Sequence, residues 1–562
     1  MADAETSRLC VQIVRSHFGP LTANVASALL TRGRLSLPQL IRYTKIKPRT
    51  VRAAILVMVQ QNILWHSNTE EEGDMLEFNT LECLMRLRFG RFVWQAEQLF
   101  GPSGAEIVQL ILDHGKLQSP DIISRLSIYN PKSSSLYTQT LYKLISGAYL
   151  KPSTLLSHHS PRDKRIKYEA EEKAKITGFP TAKELREAQE TAEARLKREE
   201  EEAESVGLKR KPKDLISHRS TKRKATEEDM VDDEVYFRVN FDKFNTYIRN
   251  KVSPTNTRCL FFSWLYSDVI CQLIEMAAGE RFNRSAALVM RATLKATEAR
   301  QKSVSDARSD PTSTAAIAML ISDDDDLSTG LVTSTKKASS ASLVKDYLGL
   351  MSAVDNPTPA GKAASFISLT DNKVYVEFEI VSKRLRRRVL EAVARERHGD
   401  DGVRIVRLLL DIGKMDEKQI AKVAMMPNNI VRPLLAALSS DFLISTQEVP
   451  RSADRNPTRT FYLWHVDLHK AYSALLGNLY KTLYNVGMRR QAEQEEPTVK
   501  AVLAKRERTD VAQDENLLSR MERDVLKEWE TKREKLTVLE MRVEEAVFIL
   551  RDLDKVGSHE DI

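Results

Sequence analysis

The sequence predicts a mainly α-helical protein with small β-wings, built as four tandem modules and finished by an antiparallel coiled-coil helical hairpin. Three observations carry this. A six-residue phrase (leucine, two variable residues, glycine, a base, an aliphatic residue) is written three times: LTRGRL at Leu30–Leu35, LDHGKL at Leu112–Leu117 and LDIGKM at Leu410–Met415. The patterns around each copy follow the same order. Near the end, apolar residues keep alternating three- and four-residue steps from Trp529 to Leu553.

Bulk properties frame this. A chain of 562 residues is too long for one core and suggests about four units at ~150 residues each. A hydrophobic content of 42% with 29% charged residues is ordinary for folded, largely helical domains. No apolar run approaches the ~18–20 residues a bilayer span needs, and MADAETSRLC lacks a signal-peptide core, so the expectation is an intracellular protein with no membrane partner. Cys10, Cys83, Cys259 and Cys271 form no CxxC pair, which argues against a disulfide frame or a thiolate zinc site. A net charge of +8 permits nucleic-acid contact without requiring it.

The phrase itself has a physical reading. Glycine after a helix takes the positive-φ cap that other residues resist. The base and the aliphatic residue then fit a very short strand, with the aliphatic side chain facing the core. Ser36, Ser119 or Asp416 caps the next helix, with Pro38 and Pro120 tolerated in its first turn. A third helix follows, then strand-like Ile63-Leu64-Trp65, Tyr149-Leu150 and Phe442-Leu443-Ile444. Helix, tiny strand, helix, helix, hairpin is the order of a winged helix. NILWHSNTEEEGDMLEFNT and DFLISTQEVPRSADRNPTRTFYLWHV read as wings around polar loops. Interposed hairpins and unequal spacings disfavour a plain helical solenoid.

The expected boundaries are residues 1–82 and 83–159 for the first two winged helices and 160–234 for a charged, mobile insertion. A third winged helix at 235–382 is split by a disordered acidic loop at 302–341, with KVYVEFEIV read as a strand. The fourth covers 383–467 and the coiled-coil hairpin 468–556. The hairpin pairs a stripe from Leu468 to Val486 with the seam Trp529, Leu536, Leu539, Val543, Ala546, Leu550 and Leu553, in which only Lys532 is polar.

No enzyme signature emerges. DIGKMDE has a Gly-Lys pair but lacks the upstream glycine and following Ser or Thr of a phosphate loop. His465 and His469 share helical spacing without the Glu of HExxH or a third ligand, so a structural pair is the better reading. The tetrad Asp323–Asp326 reads as a solvated acidic loop, and His158-His159 as a loop doublet. No catalytic residue, metal or cofactor is expected.

Binding surfaces are the alternative. A base-reading third helix should present Arg, Lys, Asn or Gln outward. Here the outward positions are Arg49, Ala53, Leu56, Val57 and Gln60 in the first module, Leu136, Gln139 and Lys143 in the second, and Asn429, Pro433 and Ala436 beside Arg432 in the last. Such faces more often meet protein. Basic density lies elsewhere: Lys45, Lys47, Arg49 and Arg52 at the start of one third helix; Lys383, Arg384, Arg386, Arg387 and Arg388 in KRLRRR; and Arg451, Arg455 and Arg459 on the last wing. Each patch, and with them Lys143 and Arg432 on the outward faces, fits a DNA backbone contacted without regard to sequence. Each fits equally an acidic protein partner or a plain solvated surface. Lys209, Arg210, Lys211 and Lys213 with Lys222, Arg223 and Lys224 read as a nuclear-import signal or a charged spacer.

LCVQIVRSHFGPLTANVASALLTRG, PTRTFYLWHVDLHKA and VEEAVFILRDLD resemble the tandem winged-helix subunit of eukaryotic RNA polymerase III, the largest member of its initiation heterotrimer, whose winged helices are related to those of transcription factor IIE. The resemblance covers most of the chain and is less clear in the middle. It implies a non-catalytic nuclear subunit that binds two smaller partner subunits and docks on the polymerase clamp. It further implies a role beside initiation factors in promoter opening at transfer-RNA and 5S ribosomal-RNA genes. A scaffold subunit of a proteasome-lid or signalosome-type assembly is the competing expectation. Such scaffolds place one winged helix after a long helical array, whereas the phrase here recurs from residue 30 to residue 415.

Overall fold

The computed structural model describes residues 3–69, 73–128, 134–176, 181–205, 234–250, 274–275, 278–279, 282–298, 301, 303–321, 327, 340–352, 365–370, 373–450, 460–508, 510–511 and 518–556. It is mainly helical, with small sheets, and divides into two compact units, Met1–Phe244 and Asn245–Ile562.

The first unit holds two modules. In the first, α1 (Ala4–Arg32) leads through β1 (Leu35–Ser36), α2 (Leu37–Thr44) and α3 (Pro48–Gln60) to a wing of β2 (Leu64–Thr69) and β3 (Gly73–Phe78), closed by α4 (Thr80–Met85). Leu35 pairs with Leu76, so the strand order is β1-β3-β2. Leu29, Leu30, Leu35, Leu40, Val51, Ala54 and Met58 are buried, as one apolar face per helix requires. The second module repeats the order in α5 (Phe89–Phe100), α6 (Pro102–His114), β4 (Leu117–Gln118), α7 (Ser119–Ser127), α8 (Ser134–Ser146) and β5 (Leu150–Pro152).

Its wing closes far along the chain. After α9 (Pro161–Ala174) and α10 (Ala182–Ser205), β6 (Tyr236–Val239) returns between β4 and β5, pairing Phe237 with Leu117 and Val239 with Leu150. Two expectations are corrected here. The second module does not end at residue 159, nor does the third begin at 235: β6 belongs to the second, and residues 160–234 lie inside its wing. The described part of that insertion is helical, one of the two forms, solvated helix or mobile insertion, that its charged composition allows. Helices α9 and α10 pack together, with Ala188 and Ala192 buried, Arg195 stacked 4.3 Å over the Tyr168 ring, and Arg165 and Arg195 paired with Glu193 and Glu171. Small residues let the two backbones approach, and interhelical charges replace a large apolar seam.

In the second unit, α11 (Phe241–Asn250, which crosses the unit boundary) and α12 (Arg284–Glu298) precede β7 (Thr312–Ser313), α13 (Thr314–Ala318), α14 (Ser340–Met351), β8 (Ile367–Thr370) and β9 (Lys373–Val376). The sheet order β7-β9-β8 matches the first two modules. The span expected as a loop at 302–341 therefore contains the tiny strand and the second helix of this module; Asp323–Asp326 lie outside the described residues. Polar Thr and Ser disguise the strand, because two residues suffice to pair with Lys373 and Val374. KVYVEFEIV is likewise only half strand. Val374 and Val376 are buried at a spacing of two, then Phe378, Val381 and Leu385 at spacings of three and four. Helix α15 (Phe378–Ile412) starts there, so the expected boundary at 382/383 falls inside a helix.

The last module follows with α16 (Glu417–Ala424), α17 (Asn428–Ser440) and a wing of β10 (Ser445–Pro450) and β11 (Thr460–His465), to which Met415 bridges through Trp464. Then α18 (Leu468–Glu495), α19 (Pro497–Arg506) and α20 (Arg520–Val547) complete the chain. Arg490 meets Glu540 and Lys532 meets Glu493, so α18 and α20 run antiparallel.

The heptad seam is realised unevenly. Trp529, Leu550 and Leu553 are buried, Leu536, Val543 and Ala546 are half-buried, and Leu539 is 44% exposed. A straight helix drifts ~20° per heptad away from a strict seven-residue repeat, which turns Leu539 outward. A π-turn at Phe548–Asp552 then absorbs an extra residue. It buries consecutive Phe548, Ile549 and Leu550, and Leu550 joins the core of the last module beside Leu390, Tyr472 and Leu475.

The repeat is longer than its phrase. Gly19, Gly101 and Gly399 each stand fourteen residues before the phrase glycine, at φ +84°, +80° and +70°. Each breaks a helix in two, so every copy opens with a helix, a positive-φ glycine and a second helix (FGP twice, HGD once).

Candidate functional surfaces

Lys45 is the left-handed cap of α2, at φ 55°, and Lys47 the N-cap of α3. Together with Arg49 and Arg52 they are exposed, and among the described residues none has an ion-pair partner. The turn brings four cations to the α3 N-terminus, where the helix dipole already favours an anion. Arg32 stacks 3.9 Å over the nearby Tyr43 ring.

The equivalent corner of the last module has the same backbone and opposite chemistry. Met425, twelve residues after Gly413 as Lys45 is after Gly33, caps α16 at φ 54° and is 90% exposed. Val423 and Ile430 flank it in the open, and Arg432 is tied to Glu417 at 2.9 Å. In the second module Ile128, 76% exposed, stands at the corner, and Leu136 is exposed on α8 beside Lys143. Leu56, 70% exposed, dominates the outward face of α3.

KRLRRR is not a free basic row. Lys383 pairs with Glu379, Arg384 lies 5.7 Å over the Phe366 ring, and Arg387 bridges Glu391 and Asp411 at 2.9 and 3.0 Å. Arg386 binds Asp554 at 2.5 Å and covers the Tyr472 ring at 4.2 Å. Arg388, exposed, is engaged as well. This run holds the C-terminal segment against α15. Arg451, Arg455 and Arg459 lie outside the described residues, as do Lys209, Arg210, Lys211, Lys213, Lys222, Arg223 and Lys224.

A further site, unseen in the sequence, joins the two modules of the first unit. Gln60 donates to the carbonyl oxygens of His114 and Lys116 at 3.1 and 2.8 Å, and Gln61 to that of Asp113 at 2.8 Å. The end of α3 thus grips the second copy of the phrase. Gly115 makes this possible: a Cβ there would stand 2.3 Å from the Gln60 carbonyl oxygen. Lys116 Nζ donates to the Val59 carbonyl at 3.0 Å and lies 2.9 Å from His158 Nε2. Burial, then the charge of Arg238, lowers Lys116 to about 8. Burial, then Lys116, lowers His158 to about 4. The rings of His66 and His159 stand 4.5 Å apart, and burial followed by His159 lowers His66 as well. Arg34 of the first phrase reaches Glu77 at 2.7 Å and Asp163 at 2.8 Å, tying the wing of the first module to the insertion of the second. The doublet expected to be an unpartnered loop is therefore part of a joint.

Short three-stranded wings on helical modules, with the second copy of the phrase gripped by the first module, define a multi-module winged-helix protein. Comparison with known families agrees. The model described as "RNA polymerase III subunit RPC82 helix-turn-helix domain" matches residues 8–67, "RNA polymerase III subunit RPC82" matches 139–357, and "POLR3C, C-terminal winged-helix domain" matches 390–466. The chain is 26% identical to the DNA-directed RNA polymerase III subunit RPC-3 of Coccidioides immitis, covering 97% of this chain and 99% of that protein. It is 25% identical to subunit RPC3 of Danio rerio over 97% and 98%. A shorter stretch, 32% of this chain and 28% of the relative, is 35% identical to subunit rpc3 of Aspergillus niger. The chain belongs to the RPC82/RPC3 family of RNA polymerase III subunits.

Proposed function

We propose that this chain is a non-catalytic, nuclear subunit of RNA polymerase III. It joins two partner subunits on the polymerase clamp and assists promoter recruitment, DNA opening and initiation at transfer-RNA, 5S ribosomal-RNA and other small-RNA genes. All four modules act as winged helices and the C-terminal helices as a coiled-coil hairpin. The observation that carries the proposal is the chemistry of the third helices: where a sequence reader presents base-seeking side chains, Leu56, Leu136 and Ile430 are aliphatic and exposed. DNA contact falls to the turn bearing Lys45, Lys47, Arg49 and Arg52, whose cations meet phosphates without regard to sequence. The nuclear-import clusters and the cations of the last wing belong to the same proposal.

Affinity purification of the tagged chain tests the assignment. Polymerase III subunits are the expected co-purifying proteins; recovery of lid or signalosome subunits without them would overturn it. DNA binding is expected to be weak, indifferent to sequence and steeply salt-dependent. Tight binding to one motif that survives high salt would refute the DNA role.

A further inference from the structure

We propose that the corner of the last module, centred on Met425, is the docking site for an acidic, apolar-anchored segment of a protein partner. This rests on the reading that the chain works inside an assembly, and specifies one surface and the chemistry it receives.

Folding does not account for Met425. Its backbone is left-handed, at φ 54° and ψ 43°, a conformation that glycine or asparagine adopts more readily. Its side chain is 90% exposed, so it supports no core. The apolar surface continues from it through exposed Val423 and Pro427 to Ile430 and Pro433 along α17. Methionine suits such a place, because its flexible thioether moulds to an apolar partner.

The rim decides what kind of partner fits. Lys414, Lys418 and Lys422 are exposed, and among the described residues none has an ion-pair partner. The neighbouring acids are already engaged: Glu417 by Arg432, Asp411 by Arg387, Asp441 by Arg397 and His398, and Asp416 by the backbone N–H groups it caps at the start of α16. The surface is therefore an aliphatic centre beside unneutralised lysines. Its complement is a segment with an aliphatic or aromatic anchor flanked by aspartate or glutamate. DNA matches less well, since the aliphatic centre offers phosphates nothing. The first module, with Lys45 at the same backbone position, shows how this corner looks when cations occupy it.

The test places a photoreactive benzoylphenylalanine at position 425 of the full chain, purifies the assembled polymerase, irradiates it and maps the adduct by mass spectrometry. The expected adduct lies on a protein segment with two or more acidic residues within about a turn of the anchor. Its yield should fall on the order of tenfold when Lys418→Glu and Lys422→Glu are combined. Met425→Gly, which relieves the backbone, should leave hydrogen-exchange protection of α16 and α17 unlowered while weakening retention of the same partner. An adduct on DNA, an adduct on a segment without acids, a yield indifferent to charge reversal, or no adduct in an assembled polymerase would overturn this proposal alone. Failure of the tagged chain to co-purify with polymerase subunits would overturn the assignment beneath it.

Discussion

Gly33, Gly115 and Gly413 hold the same place in the phrase at φ +85°, +84° and +94°, yet only one of them is crowded. Replacing each by alanine imposes the positive-φ penalty, of order 1–3 kcal/mol. At Gly33 and Gly413 nothing lies within 4 Å of the new Cβ, so that penalty is the whole cost. At Gly115 the Cβ would stand 2.3 Å from the Gln60 carbonyl oxygen and 3.0 Å from its carbonyl carbon. Those atoms end α3 and cannot rotate away as a side chain would. Overpacking adds ~1–3 kcal/mol, and the shift loosens the bonds that Gln60 and Gln61 make to His114, Lys116 and Asp113. Gly115→Ala should therefore cost about 2–6 kcal/mol against about 1–3 for the other two. A chain of several modules does not unfold in one step, so the suitable assay is hydrogen exchange on the full chain, read locally in α3 and α6. Equal loss of protection in Gly33→Ala and Gly115→Ala, within about 0.5 kcal/mol, would refute the claim that the second copy of the phrase is a domain joint.

Acid should loosen that same joint. The unfolded chain protonates a histidine near pH 6.5, but folded His158 resists protonation down to about 4, so stability is intact above 6.5 and falls as pH drops through that window. The half-solvated site reduces the effect to about 1–2 kcal/mol; exchange protection in β2 that is unchanged between pH 7 and 5 would contradict it. Ending the chain before Phe548 should open the last module, since burial of Phe548, Ile549 and Leu550 contributes ~1.5–3 kcal/mol per side chain; proteolysis of α15 no faster than in the intact chain would count against it. Changing Lys45, Lys47, Arg49 and Arg52 to alanine should weaken DNA binding equally for all sequences and flatten the log–log salt slope by ~0.9 for each phosphate no longer neutralised; an unchanged slope would move the DNA surface elsewhere.

What could be read in advance was what the chain keeps local. The phrase holds its own chemistry in six residues: a glycine for positive φ, then an aliphatic residue for a two-residue strand. Lys45 to Arg52 are near neighbours, so their patch was visible directly. Partners distant in sequence were not. β6 sits more than eighty residues after β5, so no hairpin signal links them, and its sequence reads as the start of the third module. KRLRRR reads as a bare basic run because the carboxylates of Asp411 and Asp554 that engage it come from far along the chain. The glycines fourteen residues ahead of each phrase carry a weaker signal, FGP at Phe18 and again at Phe100, which the third copy breaks as HGD.

The wing of the second module has a consequence for how such chains grow. The excursion leaves after β5 and returns as β6 at paired positions, Pro152 opposite Phe237. With its feet pinned together, each doubling of its length adds only about 0.6 kcal/mol of closure entropy. A base closed by strand pairing is a place where residues can accrue, or where an experimenter can graft a reporter domain, without changing the register of the module that carries them.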